Sequence, residues 1–123
     1  MTHPTLPVQG KVYCLDTATL TTSSGHHIVF LAIHADTQKI AHIEMHTQQE
    51  MGSYKQFILN LASKENLALQ PEPVHFIMGI AKEQSSLVAG AFPFLESVVA
   101  DAALCKELCQ PAWQFLATAL DKE

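Results

Sequence analysis

The residues with the clearest chemical potential form the alternating segment His42-Ile43-Glu44-Met45-His46. On a β-strand, side chains two residues apart lie on one face at intervals of about 6.6 Å, so both imidazoles and the carboxylate would line up. Two such imidazoles can converge on a transition-metal ion, and the carboxylate can complete the ligand set. The same alternation is typical of an amphipathic strand whose polar face is solvated. Both interpretations stay open: a metal site of His42, Glu44 and His46, or a solvated strand face.

The three cysteines offer a second possible chemistry. Cys105 and Cys109 are four residues apart on a predicted helix and could be thiolate ligands or a redox pair. They share an apolar stripe with Leu95 and Val98, however, and a buried cysteine behaves as a small apolar residue. We therefore expect both to be core residues, and we expect the same of Cys14 within an apolar strand. An odd cysteine count favours a reducing cytoplasm over a disulfide framework. The sequence has no Cys-x-x-Cys motif, so it does not support a zinc ribbon.

Asp16 is the acidic residue most worth testing, because it follows the apolar run Val12–Leu15. An ionised carboxylate inside a strand is costly unless it is paired or lies at the end of the strand. The alternative is a carboxylate at the end of the strand that caps the following turn. For hydrolase or nucleotide chemistry the sequence has no G-x-S-x-G, G-x-G-x-x-G or Walker motif. No catalytic residues are therefore assigned, and no cofactor is expected.

The elements that would position these residues begin with three strands, predicted over Val12–Leu20, His27–Ala35 and Ile40–Thr47 and joined by turns. They predict an antiparallel meander. A turn centred between residues 37 and 38 would place Ile33, Leu31 and Val29 opposite His42, Glu44 and His46. The better core candidate would then be the other face of the two strands, which carries Phe30, Ala32, Ile43 and Met45.

The second half of the chain predicts helices around one buried strand. Capping-box patterns at Thr47–Glu50 and Ser53–Gln56 predict a helix that ends near Asn66, with an apolar stripe of Met51, Tyr54, Ile58 and Leu61. Val74–Ala81 reads as a buried strand, whereas Ser85–Ala91 is ambiguous between strand and helix. A helix follows Pro93, and Pro111 separates it from a final helix.

These elements predict an α/β (α+β) class, with a mostly antiparallel sheet of four to five strands and helices packed on it, in the order β-β-β-α-β-α-α. Residues 1–10 are expected to be an extended segment, and residues 11–123 a single domain. A chain of 123 residues with 48% hydrophobic residues can bury one core of its own. Met1–Gly10 lacks the apolar run of a signal peptide, and no 18-residue apolar window predicts a membrane helix.

The charge pattern argues against nucleic acid as a partner. The chain has a net charge of −5, and all seven of its basic residues are lysines, spaced singly, with no arginine. Nucleic-acid binding draws on clustered Lys and Arg to replace the counterions of the phosphates. Charged residues make up 15% of the chain, against about 25% in typical soluble domains, so apolar surface must face outward. This favours association between copies of the chain, and the alternative is a surface of uncharged Thr, Ser and Gln side chains.

One stretch also resembles a known family. The features are a first strand that ends in Asp16-Thr17, then Gly25, the run Phe30–Ile33, the turn Asp36–Ala41, a helix, and Pro73 before a buried strand. Residues 12–82 in this respect look like the N-terminal part of the ribonuclease-H-like catalytic core of transposases and integrases.

The resemblance implies a fold topology and places Asp16 at the family's first metal-binding aspartate. It would require a second acid after the buried strand, where Gly79–Lys82 has none. The third, a glutamate on a late helix, could be Glu96 or Glu107. With one acid of three matched, two-metal nuclease chemistry is not expected.

The sequence thus favours a non-catalytic cytoplasmic module that forms a homo-oligomer such as a dimer, or that binds a protein partner or a neutral small molecule. Neither a nucleic acid nor a membrane is expected as a partner. One alternative is a metal-binding protein or metal-dependent enzyme that uses His42, Glu44 and His46. The other is a degenerate ribonuclease-H-like domain without nuclease activity.

Overall fold

The computed structural model describes residues 10–22, 25–47, 51–69 and 71–121. One five-stranded mixed sheet carries three α-helices, which confirms the predicted α/β (α+β) class. The predicted segment 1–10 lies outside the described residues except for Gly10. In chain order the elements are β1 (Lys11–Thr22), β2 (Gly25–His34), β3 (Ile40–His46), α1 (Met51–Glu65), a short 3-10 helix (Leu67–Leu69), β4 (Val74–Met78), α2 (Lys82–Ala91), β5 (Leu95–Ala100) and α3 (Ala102–Asp121).

The central strand is β1, and the sheet order is β3-β2-β1-β4-β5. β1 pairs antiparallel with β2, which pairs antiparallel with β3, as the meander predicted. On its other side β1 pairs parallel with β4, which in turn pairs parallel with β5. The sheet is therefore half antiparallel and half parallel, and Tyr13 lies between His34 on β2 and Phe76 on β4.

The pairing of β2 with β3 differs by one residue from the predicted register. Ala32 pairs with His42 and Phe30 with Glu44, because an irregularity next to Ile33 adds one residue to β3. Since side chains alternate along a strand, this shift moves the β3 side chains from His42 to His46 to the face opposite the predicted one. The predicted shared face of Phe30, Ala32, Ile43 and Met45 is therefore wrong: Phe30 and Ala32 are core residues, whereas Ile43 and Met45 are 39% and 52% exposed.

Helices α1 and α2 cover one face of the sheet. Tyr54, Ile58 and Leu61 of the predicted stripe are buried, and they pack with Tyr13 and Phe30 of the strands. α1 ends at Glu65, and Asn66 follows with a φ of 54°, a left-handed conformation that asparagine tolerates at a helix end. This agrees with the predicted end near Asn66. The proposed capping box at Thr47–Glu50 includes residues 48–50, which lie outside the described residues.

Helix α3 alone covers the opposite face, where it crosses β1 and β4. Its buried residues on this face are Cys105, Leu108, Cys109 and Ala112. The predicted break at Pro111 is absent, since α3 runs through this residue from Ala102 to Asp121. A proline inside a helix removes one backbone hydrogen bond, and here apolar contacts on both sides of Pro111 hold the helix on the sheet.

The segment after Pro93 is the largest departure from the predicted element order. Leu95–Ala100 forms the strand β5 rather than the start of a helix, and the ambiguous residues 85–91 belong to α2. Val98 and Val99 are β-branched and favour a strand, although the apolar spacing of the segment also fits a helix. The order is therefore β-β-β-α-β-α-β-α, which has one strand more than the predicted order, and the five strands agree with the predicted four to five.

Candidate functional site

His42, Glu44 and His46 lie on the face of β3 that packs against α1. Glu44 accepts hydrogen bonds from His42 Nε2 at 2.6 Å, from His46 Nε2 at 2.9 Å and from Asn60 Nδ2 at 2.8 Å. The His42 ring stacks on Phe57 at a centroid distance of 5.4 Å. The alternation correctly predicted that the three side chains lie on one face of the strand. It did not predict that α1 packs over that face.

The same carboxylate organises the electrostatics of this group. Burial alone would raise the pKa of Glu44, but hydrogen bonds from Asn60, His42 and His46 outweigh burial and lower that pKa. Both imidazoles direct Nε2 at the carboxylate, so a metal ion would have to displace these hydrogen bonds. Metal binding by His42, Glu44 and His46 stays a prediction.

Asp16 lies in the middle of β1, and it is 7% exposed on the face covered by α3. The predicted role as a cap at the end of the strand is wrong, because β1 continues to Thr22. Instead, Trp113 on α3 donates a hydrogen bond from Nε1 to Asp16 Oδ2 at 2.8 Å. An indole N–H that satisfies the carboxylate explains how a strand can bury this charge.

A surface groove of about 430 Å³ opens beside this pair of residues. It brings Asp16 together with Glu107, one of the two candidates for a third acid, whereas Glu96 is exposed on β5. The position next to Asp16 is Gly79, where an added Cβ would lie 3.4 Å from Asp16 Oδ1. The groove is lined by Asp16, Lys106, Glu107, Gln110, Trp113, Gln114 and Ala117.

The three cysteines meet between β1 and α3. The Sγ atom of Cys14 lies 3.1 Å from that of Cys105 and 3.6 Å from that of Cys109. All three side chains are fully buried, which agrees with the predicted core positions. The three Sγ atoms all lie within 4.8 Å of one another, so they form a group of possible metal ligands within the described part of the chain.

Sequence reasoning missed this convergence, although part of the signal was present. Cys105 and Cys109 were correctly placed one turn apart on an inward-facing helix stripe. What was missing was the partner of that stripe, because the pairing of α3 with the face of β1 that carries Cys14 depends on contacts about 90 residues apart along the chain.

The pKa values of the three thiols shift in different directions. Hydrogen bonds from Cys105 and Cys14 lower the pKa of Cys109 to about 5, against the opposing effect of burial. The pKa of Cys14 is raised, first by its hydrogen bonds with Cys105 and Cys109 and then by burial. The pKa of Cys105 is also raised, chiefly by its hydrogen bond with Cys109. Among the three thiols, Cys109 is therefore the one whose pKa is lowered.

An apolar groove of about 220 Å³ lies on the α3 side of the sheet, between β3 and α3. Ile43 and Met45 form one wall, and Trp113 and Leu116 form the other. No charged residue lines it among the described positions, so the groove favours apolar contacts. The remaining lining residues are Ala18, Thr19, Val29 and Ala117.

No described helix is both long enough and apolar enough to cross a membrane. Comparison of the chain with protein-family models, with curated proteins and with solved structures finds no significant match.

Proposed function

We propose that this protein is a non-catalytic α/β module that forms a homodimer through its edge strand β3. The observation that carries the proposal is the exposure of Ile43 and Met45 on a strand whose outer edge has no partner in the described sheet. Edge strands that remain monomeric are usually protected by lysines, prolines or bulges along the strand. β3 has neither lysine nor proline between Ile40 and His46, and its irregularity lies at its first residues, before Ile43.

The side chains of β3 support pairing with a second copy. A twofold antiparallel arrangement centred on Ile43 would place His42 of each copy opposite Glu44 of the other. Directly opposed side chains that can hydrogen-bond, such as an imidazole and a carboxylate, stabilise antiparallel pairs, and a twofold axis requires such self-complementarity. On the other face the two Ile43 side chains would meet, so apolar surface that is exposed in one chain would be buried in the dimer.

The opposite edge of the sheet fits this role less well. β5 carries Glu96 on its exposed side, and α2 packs beside the strand. A pairing of β5 with a second copy would have to accommodate that helix. We therefore assign the self-associating surface to β3 and not to β5.

Light scattering coupled to size-exclusion chromatography tests the proposal at micromolar concentrations. We expect the unmodified protein to elute with twice the mass of one chain. Ile43→Lys should elute as a monomer, because two ammonium groups would face each other at the twofold axis. Leu87→Lys is the matched control, since it adds the same charge at a 60% exposed leucine on α2, and it should stay dimeric.

An unmodified protein that is monomeric, or an Ile43→Lys variant that stays dimeric, would overturn the dimer. Circular dichroism of both lysine variants controls for folding, and Met45→Lys provides a second disruption of the same surface. If the unmodified protein is monomeric, the occupant of the apolar groove is instead a different protein or a neutral small molecule. The proposal includes a cytoplasmic location, which the three unpaired thiols support.

A degenerate ribonuclease-H-like domain without nuclease activity is the second candidate. The order of elements over residues 12–82 supports it: three antiparallel strands, a helix and a buried strand that lies beside β1. Gly79 adjoins Asp16 where the resemblance requires a second acid. Gly79→Asp should therefore create a pair of carboxylates that retains Mn²⁺, whereas Ala81→Asp, an exposed control nearby, should not. Equal Mn²⁺ retention by the two variants would contradict this candidate.

The metal-binding alternative at His42, Glu44 and His46 rests on the convergence of both imidazoles on one carboxylate. We expect purified, untagged protein to contain close to one zinc, nickel or copper ion per chain if this alternative holds, and His46→Ala to lose it. Clearly sub-stoichiometric metal in the unmodified protein would end the alternative.

A further inference from the structure

We propose that Cys14, Cys105 and Cys109 form a binding site for one thiophilic d10 metal ion, Zn²⁺ or Cu⁺. Thiolate sulfur is the ligand that both ions prefer among protein side chains. The three sulfurs come from a strand and from successive turns of one helix, so the fold itself brings them together. This proposal is independent of the dimer, whose surface lies on β3.

The separations of the sulfurs fit a shared ion. A zinc–sulfur bond of about 2.3 Å places two ligating sulfurs of a tetrahedral site about 3.8 Å apart. In the structure Cys14 Sγ lies 3.1 and 3.6 Å from its two neighbours, and all three atoms fall within 4.8 Å of one another. Small rotations of the three side chains would therefore suffice to surround one ion.

The surroundings of the three cysteines also differ from those of ordinary core cysteines, which pack singly among aliphatic side chains. Here the three thiols face each other, and Cys105 Sγ lies 2.9 Å from the carbonyl oxygen of Leu15. That carbonyl is a neutral oxygen close to the cluster, and the Asp16 carboxylate follows it on β1. A carboxylate oxygen can complete the coordination of zinc beyond three sulfurs.

The charge balance limits how the ion binds. When three thiols bind Zn²⁺, three protons leave and the site keeps a net charge of −1; with Cu⁺ the net charge is −2. A buried net charge is costly, which favours zinc, whereas three ligands without a fourth suit Cu⁺. The two ions are therefore separate arms of one experiment.

The ion must enter before the site closes, because all three cysteines are fully buried. The cluster exists only when α3 is packed on β1, so metal binding is coupled to the docking of this helix. Loading is therefore best attempted during refolding, and the bound ion should raise the stability of the folded chain.

The test is refolding of the full, reduced chain under anaerobic conditions with Zn²⁺ or with Cu⁺, followed by desalting and elemental analysis. We expect close to one ion per chain in one of the two arms. Cys109→Ala should weaken retention by more than the roughly 10–100-fold that outer-shell partners of a metal are worth. His46→Ala is the matched control and should retain the ion, which separates this site from the histidines of β3.

Two results would overturn the proposal: negligible metal in both arms for the unmodified protein, or metal that His46→Ala loses and Cys109→Ala keeps. Should Cys109→Ala fail to fold, refolding of the unmodified, reduced chain with Co²⁺ decides the matter. Bound cobalt with intense sulfur-to-cobalt charge-transfer absorption supports the thiol site, whereas bound cobalt without this absorption contradicts it. None of these outcomes depends on the oligomeric state.

Discussion

The two faces of the sheet are closed in different ways. On the α1 and α2 side, buried aromatic rings fill the space, and Phe30 contacts Tyr54 and Phe57 at centroid distances of 5.0 and 5.6 Å. On the α3 side the fully buried residues are small or aliphatic, and one helix covers them. Large rings and two helices thus fill one face and leave a groove of about 430 Å³ at its margin, between α1 and Phe92–Phe94. On the other face a single helix leaves grooves beside Asp16 and Ile43.

The difference suggests a division of roles within one small domain. The aromatic face supplies the larger cluster of buried residues, and aromatic side chains bury large areas. The α3 face holds the three thiols, the buried Asp16 and both grooves in contact with Trp113. The large aromatic rings and the cluster of three thiols therefore lie on opposite sides of the same strands.

The largest expected effect is on the aromatic face. Leu61→Ala should lower the free energy of unfolding by about 2–5 kcal/mol, because the fully buried side chain leaves a cavity among large rings. Urea denaturation measures the change. Leu59→Ala is the control on the same helix, where the leucine is 53% exposed, and it should change stability by no more than about 0.5 kcal/mol. Equal effects of the two substitutions would mean that α1 presents a different side to the sheet.

A smaller effect is expected on the α3 face. Trp113→Phe keeps an aromatic ring but removes the donor to Asp16, and leaving a buried acceptor unsatisfied costs about 1–3 kcal/mol. Chemical denaturation again measures the loss, with Gln114→Ala as an exposed control on the same helix. If Trp113→Phe is neutral, water replaces the indole N–H and this face is more open than its single helix indicates.

The smallest effect concerns pH. The pKa of Glu44 is lowered by its three donors, so the stability it contributes is present above the ordinary carboxyl pKa of 4.5 and is lost as the pH falls through the lowered value. Glu44→Gln should therefore be less stable than the unmodified chain at neutral pH, by about 1 kcal/mol. The difference should shrink in acid. A difference that does not vary with pH would show that packing, and not charge, holds these residues in place.

Local patterns in the sequence predicted the meander, α1 and β4 within a few residues, because alternation and helical periodicity report which side chains are buried. Tyr54, Ile58 and Leu61 are buried as their spacing indicates. The register of β3 was wrong by one residue because a strand irregularity has no periodic signature. β5 was missed because an apolar segment of six residues fits a helix as well as a strand.

The candidate site was harder to predict than the fold. The alternation of His42, Glu44 and His46 placed them on one face, but the donor Asn60 comes from a different element. The thiol cluster and the contact between Asp16 and Trp113 join β1 to α3 across most of the chain, and no local pattern encodes such a pairing. Only the tertiary arrangement brings these groups together.

The position of α3 has a consequence for synthesis of the chain. Every strand leaves the ribosome before this helix does. One apolar face of the nascent sheet, which includes Leu31 and Ile33, therefore stays exposed until α3 packs on it. Exposed apolar strands of this kind are prone to aggregate, and chaperones commonly shield them. A chain shortened within α3 should therefore accumulate in inclusion bodies even though all five strands are intact.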